Sequence, residues 1–172
     1  MSNAKPAGPL NLQALAARLP AKARLIGVDL GAKTIGLALS DVERRIATPL
    51  ITLVRTAFAK DAEALSAQIQ KFAAFGLIVG LPVNMDGLEG PRAQSARAFA
   101  RNFTKLRATP IAFWDERLST AAVTRALIAN DVSRAKRAEV VDKMAAAYIL
   151  QGALDRLADI AAAAPEFASR TR

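Results

Sequence analysis

Three segments near the start of the chain alternate apolar and polar residues with the period of two that is typical of β-strands. The segments are residues 24–31, 34–40 and about 47–54. In the first, Ile26, Val28 and Leu30 share one face, and Asp29 lies on the opposite face. Short turns separate the segments, so the pattern predicts a hairpin extended into a three-strand antiparallel meander.

After residue 60 the apolar spacing becomes helical and is interrupted by short apolar strands. This spacing predicts four helices, at 60–72, from Pro91 to about 106, from Ser119 or Thr120 to about 128, and at 138–162. The short apolar runs predict strands at 77–81 and 111–115. A basic break at 131–137 precedes the last helix. We therefore predict an α/β fold. Its mixed sheet combines the three-strand antiparallel meander with parallel strands and has helices on both faces.

Composition limits both the size of the fold and the available chemistry. The 172 residues are 52% hydrophobic and 23% charged, as expected of one folded domain. We expect an N-terminal tail with a short helix at 1–22, the domain at 23–160, and a C-terminal tail at 161–172. The sequence has no Cys and no His, which excludes disulfides, Cys nucleophiles, Ser-His-Asp triads and the usual zinc sites. No signal peptide or membrane span is evident, so we expect a cytoplasmic protein with no membrane partner.

The net charge of +9 is typical of proteins that bind polyanions, and nucleic acid is the expected partner. Two basic groups could contact phosphates: Arg97, Arg101 and Lys105, and then Arg134, Lys136 and Arg137. Their spacing is equally that of a solvated helix face and a solvated loop. We favour the solvated interpretation for both groups.

Asp29 is unusual because it lies within a strand, between Gly27 and Gly31 on the same face. Two side chains that would crowd the carboxylate are missing, which leaves room for a ligand. The alternative is an aspartate at a strand end that accepts hydrogen bonds from turn amides.

Asp142 occupies the apolar stripe of the last predicted helix. At about 100° per residue, Ala146, Ile149, Ala153 and Leu157 fall on its side, and Asp155 and Asp159 fall opposite. An acid on a core stripe is costly unless it is paired or binds a metal. The alternative is a partly hydrated acid that the helix dipole favours in the first turn.

Glu116 follows the predicted strand at 111–115, at the sheet edge where α/β proteins bind ligands. Asp115 is adjacent, and local pattern hardly separates the two. Without histidine, Asp29, Glu116 and Asp142 would suit hard cations such as Mg²⁺ or Mn²⁺. Such ions support phosphodiester hydrolysis, which also fits a basic protein.

Four motifs resemble those of the YqgF/RuvX family, which is related to the RuvC Holliday junction resolvases and has an RNase H-like fold. They are IGVDLGAKTIGLA at 26–38, VGLPVNMDG at 79–87 with Gly90 and Pro91 after it, WDERLST at 114–120, and DKMAAA at 142–147 with Ile149 and Leu150. Together the motifs span most of the chain. The resemblance implies an RNase H-like sheet.

The resemblance also implies roles for single residues. Asp29, Glu116 and Asp142 would be the catalytic acids that bind Mg²⁺ or Mn²⁺. The loop around Asn84 and Gly87, together with Arg92, would line the substrate groove. RuvC proteins usually carry a fourth acid near the third, whereas Lys143, Ala145 and Ala146 surround Asp142 here, so the number of metal ions stays open.

Two further residues are candidates for nucleic-acid contacts. Arg117 lies within the third motif, directly after Glu116. Lys33 could hold a phosphate, and a plain lysine of a hairpin turn is the favoured alternative.

Members of this family are regarded as nucleases that process the 5′ end of the precursor of 16S ribosomal RNA. The resemblance thus implies a hydrolase that acts on ester bonds in ribosome biogenesis, with RNA and a ribosome precursor as partners. A Holliday junction resolvase is the alternative, and it should dimerise to cut two strands symmetrically. A non-catalytic RNA-binding or transcription-associated factor is the third, and the presence of all three acids argues against it. The oligomer is either a monomer or a homodimer.

Overall fold

A computed structural model of the chain describes residues 8–118 and 134–164 and contains a five-stranded mixed sheet. The strands are β1 (Arg24–Leu30), β2 (Thr34–Ser40), β3 (Ala47–Val54), β4 (Ala74–Leu81) and β5 (Ile111–Asp115). Their order across the sheet is β3-β2-β1-β4-β5, with β1, β2 and β3 antiparallel and with β4 and β5 parallel to β1. The predicted mixed sheet is confirmed.

Helices cover both faces of this sheet. They are α1 (Leu12–Ala16), α2 (Phe58–Phe72), α3 (Pro91–Leu106) and α4 (Arg134–Ala163), with a 3₁₀ turn at Glu116–Leu118. Leu65 of α2 and Phe103 of α3 pack against one face. Leu15 of α1 and Leu150 of α4 pack against the other. No helix in the described ranges is long and apolar enough to span a membrane.

The alternation in β1 divides its side chains between these two cores. Ile26 and Val28 are buried toward α2 and α3, and Leu25 is buried toward α4. Gly27 faces α4, where a Cβ would lie 2.7 Å from the carbonyl oxygen of Ala146. The missing side chain therefore lets α4 lie directly on the central strands.

Two element boundaries differ from the prediction for reasons of tertiary contact. β4 begins at Ala74, before the apolar run at 77–81, because Ala74 pairs with Arg24 of β1. α2 begins at Phe58, whose ring packs edge-to-face on Phe99 at 5.5 Å.

The C-terminal half of the chain carries one correction. The predicted basic break is wrong over Arg134, Lys136 and Arg137, because these residues already belong to α4. The predicted helix that ends near 128 lies outside the described residues. The division into 1–22, 23–160 and 161–172 stays a prediction.

Candidate active site

Asp29 lies at the carboxyl end of the central strand, on the face that α4 covers. It is 2% exposed. Gly36 of β2 stands directly opposite it, and the pairing of Val28 with Val79 places Gly80 of β4 beside it. Neighbouring residues of paired strands point to the same face, so both positions next to the Asp29 side chain lack a side chain of their own.

Asp142 comes close to this point because α4 crosses β2 at Gly36. A Cβ on Gly36 would collide with the backbone carbonyl of Asp142. Thr34 lies two residues earlier on β2, and its hydroxyl donates a hydrogen bond to Oδ2 of Asp142. The α4 backbone and the Asp142 carboxylate are therefore both held against β2.

The predicted orientation of α4 is confirmed. Ala146, Ile149, Ala153 and Leu157 are buried, whereas Asp155 and Asp159 are exposed.

Glu116 and Asp115 lie in clearly different surroundings. Glu116 is buried, and its Oε1 lies 2.7 Å from the position that a Cβ on Gly80 would take. Asp115 is half-buried, and its Oδ2 accepts a hydrogen bond from Nη2 of Arg117 at 2.6 Å. The Arg117 guanidinium lowers the pKa of Asp115 below its ordinary value. Glu116, rather than Asp115, therefore joins Asp29.

The three acids thus reach one end of the sheet from three elements: Asp29 from β1, Glu116 from the turn after β5, and Asp142 from α4. Carboxylate oxygens are the ligands that Mg²⁺ and Mn²⁺ prefer. The glycines at positions 36 and 80 let the Asp142 backbone and the Glu116 carboxylate approach the sheet on the two sides of Asp29. The donor set therefore fits a divalent metal. Within residues 8–118 and 134–164, no three acidic side chains are already grouped as one ion would require.

Asn84 and Arg117, two of the candidate nucleic-acid contacts, lie next to each other. Asn84 lies in the loop after β4, and its carbonyl oxygen accepts a hydrogen bond from Nη1 of Arg117 at 3.4 Å. Gly87 closes this loop at a φ of 83°, a left-handed conformation that favours glycine. Arg92 is exposed in the first turn of α3, and Lys33 is exposed in the β1–β2 turn.

Arg55 is a residue that sequence reasoning missed. Its backbone N–H donates to the carbonyl oxygen of Lys33 at 2.8 Å, and its Nη1 donates to that of Gly31 at 2.7 Å. Its Nη2 reaches Oγ of Ser95 on α3 at 3.1 Å. Arg55 thereby fixes the turn that follows Asp29. Nothing in the local sequence pattern indicates these contacts.

The basic stripe on α3 is only partly a solvated face. Arg101 and Lys105 are exposed, as predicted. Arg97 departs from the prediction, because its guanidinium pairs with Glu89 and lies over the Phe113 ring at 4.9 Å from the centroid. The hydrogen bond from Arg97 lowers the pKa of Glu89.

Comparison with known proteins places this chain in a family. The family model RuvX, described as "Holliday junction resolvase", matches residues 23–156. A protein of Methylocella silvestris is 65% identical over 153 residues, covering 89% of this chain and 95% of the relative. One of Rhodopseudomonas palustris (strain BisB5) is 62% identical over 152 residues, covering 88% and 95%. Both bear the name "Putative pre-16S rRNA nuclease".

Solved structures with a similar fold include two resolvases. RuvC of T. thermophilus in complex with a Holliday junction substrate has a TM-score of 0.48 and 12% identity, covering 78% of this chain and 96% of that one. The yeast mitochondrial Holliday junction resolvase has a TM-score of 0.44 and 14% identity, covering 88% and 86%. The predicted mixed sheet of antiparallel and parallel strands with helices on both faces is present in the structure. The predicted enzyme class, a hydrolase acting on ester bonds, is confirmed by the family model and the named relatives. The chain belongs to the RuvX family, also called YqgF.

Proposed function

We propose that this protein is a divalent-metal-dependent nuclease that cuts phosphodiester bonds at the 5′ end of the precursor of 16S ribosomal RNA, in the cytoplasm. The observation that carries the proposal is the burial of Asp29 between two glycine positions, with Glu116 and Asp142 reaching the same end of the sheet. The names of the similar proteins support the choice of RNA.

Asp29, Glu116 and Asp142 would hold Mg²⁺ or Mn²⁺. When bound, such an ion supplies an activated water and stabilisation of the leaving oxygen. The chain's own part is to fix the carboxylates. Asp29 is held by the central strand, and Thr34 orients the Asp142 carboxylate through its hydroxyl.

Four residues would position the nucleic acid: Lys33, Asn84, Arg92 and Arg117. Lys33 and Arg92 present exposed cations that suit phosphate oxygens. Arg117 has one side of its guanidinium occupied by Asp115, which fixes the direction in which its remaining donors point.

The test is cleavage of an end-labelled ribosomal RNA precursor that carries its 5′ leader, with Mg²⁺ or Mn²⁺. We expect Asp29→Asn and Glu116→Gln each to lower the cleavage rate at least about 100-fold, because each removes a ligand charge. Asp159→Asn is the matched control, since Asp159 is exposed on the opposite face of α4 and should leave the rate unchanged. If both active-site variants cut normally, the assignment of the acids is wrong.

The family description favours a second candidate, a Holliday junction resolvase. A four-way DNA junction in the same assay, together with the mass of the protein in solution, separates the two. Selective junction cutting by a stable dimer would replace the RNA proposal with the resolvase. Binding of either substrate without cutting would support a non-catalytic RNA-binding or transcription-associated factor instead.

A further inference from the structure

A cleft of about 580 Å³ lies at the outer edge of the sheet, beside β5. Residues 9–13 form one wall, where the backbone N–H of Leu10 donates to the carbonyl oxygen of Ile111 at 2.7 Å. α3 and α4 contribute arginines from either side, and Phe113 and Trp114 of β5 form part of the inner wall. The volume lies in the range of about 300–1,000 Å³ that is usual for small-ligand sites.

The lining combines apolar walls with three cations. Arg97, Arg101 and Arg156 line the cleft together with Leu10, Leu12 and Phe113. Arg101 and Arg156 are exposed, and neither forms a salt bridge with an acid in the described parts of the chain. Asp115 also lines the cleft, and its charge is matched by that of Arg117. The cleft therefore carries an excess of positive charge.

The packing of the core does not explain why arginines from two helices meet at this cleft. Arg101 comes from α3 and Arg156 from α4, helices that cover opposite faces of the sheet, yet both reach one cleft at its edge. Arg97 is held in place by Glu89 and by the Phe113 ring. An apolar wall beside exposed guanidinium groups suits a ligand with an aromatic ring and a phosphate, since arginine binds phosphate and stacks on planar rings.

The cleft also borders the end of β5 and the turn after it, which carries the proposed active-site residue Glu116. Asp115 and Leu118 both line it, and they flank Glu116 in the sequence. The cleft therefore borders the turn that carries Glu116, although Glu116 itself does not line it.

We propose that this cleft binds an unpaired segment of the substrate strand next to the bond that is cut, with phosphates on Arg101 and Arg156 and a base against the apolar wall. The position beside the cleaved bond rests on the proposed nuclease function. The cleft suits single nucleotides, so it selects a strand that is unpaired on this side of the cleavage point. The same chemistry would bind a free mononucleotide, and the experiment below separates the two sources.

The chain contains one tryptophan, Trp114, and it lines the cleft, so its fluorescence can report occupancy. Binding of a 5′-labelled single-stranded oligoribonucleotide is measured by anisotropy and by Trp114 emission, with Asp29→Asn as background to prevent cutting. The cleft variant is Arg101→Gln/Arg156→Gln. Lys60→Gln/Lys105→Gln is the matched control, because it removes the same charge from exposed positions that do not line the cleft.

We expect the cleft variant to raise the Kd about tenfold or more and to abolish the change in Trp114 emission. Its slope of log K against log salt should fall by about 1.4, since each phosphate contact to a single strand contributes about 0.7. The control should change the Kd less than threefold and keep the emission change. A fully paired RNA duplex of the same length should not alter Trp114 emission.

Equal affinity and equal salt slope in the cleft variant and the control would overturn the proposal. Displacement of the strand from the cleft by micromolar adenosine monophosphate would also overturn it, in favour of a mononucleotide site. These outcomes differ from failure of the proposed function, in which the unmutated protein cuts no substrate. If that protein cuts RNA and the cleft variant cuts it with the same KM, only the present inference is wrong.

Discussion

Single residues at the site differ sharply even where they are adjacent in the chain. Asp115 ends β5, and Glu116 begins a 3₁₀ turn, so the strict alternation of a strand stops between them. Glu116 is buried beside Gly80, whereas Asp115 pairs with Arg117 at the surface. Local alternation could not rank these two acids, because the change of backbone conformation decides their directions.

The pairing of Asp115 with Arg117 has a consequence for pH dependence. The Arg117 hydrogen bond lowers the pKa of Asp115 below 3.8, so the ion pair stabilises the fold at neutral pH and its contribution is lost as pH falls through that lowered pKa. Carbon-detected NMR titration of the Asp115 carboxyl should show a midpoint below 3.8 that rises in Arg117→Gln. The exposed-arginine variant Arg18→Gln should leave the midpoint where it was, and a shift of equal size there would contradict the pairing.

Sequence analysis could not identify residues whose role depends on contacts between distant parts of the chain. Asp29 and Asp142 stood out locally, one between glycines and one on an apolar stripe. Thr34 did not, because its partner Asp142 is 108 residues away and no local period links them. The same holds for Arg55, whose guanidinium bridges the β1–β2 turn to Ser95. Sequence reasoning therefore singled out the acids as candidates and missed Thr34, which holds Asp142, and Arg55, which holds the β1–β2 turn.

At the scale of elements, bounds set by local pattern were easier to predict than bounds set by tertiary contact. The bounds 34–40, 47–54 and 111–115 match β2, β3 and β5, since alternation and turns define them. The start of β4 depends instead on pairing with β1. The contact between α4 and the sheet could not be predicted from either element, because it depends on where a glycine meets the helix backbone.

Gly36 controls that contact between α4 and β2. We expect Gly36→Ala to lower the free energy of unfolding by about 1–3 kcal/mol, because a Cβ there would collide with the Asp142 carbonyl and push the helix away. Urea unfolding measures the change. Gly8→Ala is the control, since a Cβ at position 8 meets nothing within 4 Å, and it should change stability by less than about 0.5 kcal/mol. Equal losses of unfolding free energy in both variants would show that the contact between α4 and β2 does not cause the effect.

Over the whole molecule, the positive net charge and the acidic site have opposite effects on a polyanionic substrate. The net charge of +9 attracts a polyanion, whereas Asp29, Glu116 and Asp142 present negative charge at one end of the sheet. Phosphates and these carboxylates repel each other unless a cation lies between them. A basic surface around an acidic centre therefore fits an enzyme that binds nucleic acid and a divalent ion together.

The same balance predicts how metal affects stability. Mg²⁺ at about 100 times its Kd should stabilise the unmutated protein by about 2.7 kcal/mol, and Asp29→Asn much less, because the ion binds the folded site. Thermal unfolding at constant ionic strength measures both effects, with Asp159→Asn responding to Mg²⁺ like the unmutated protein. An equal rise in Tm in all three proteins would mean that Mg²⁺ acts elsewhere than at Asp29.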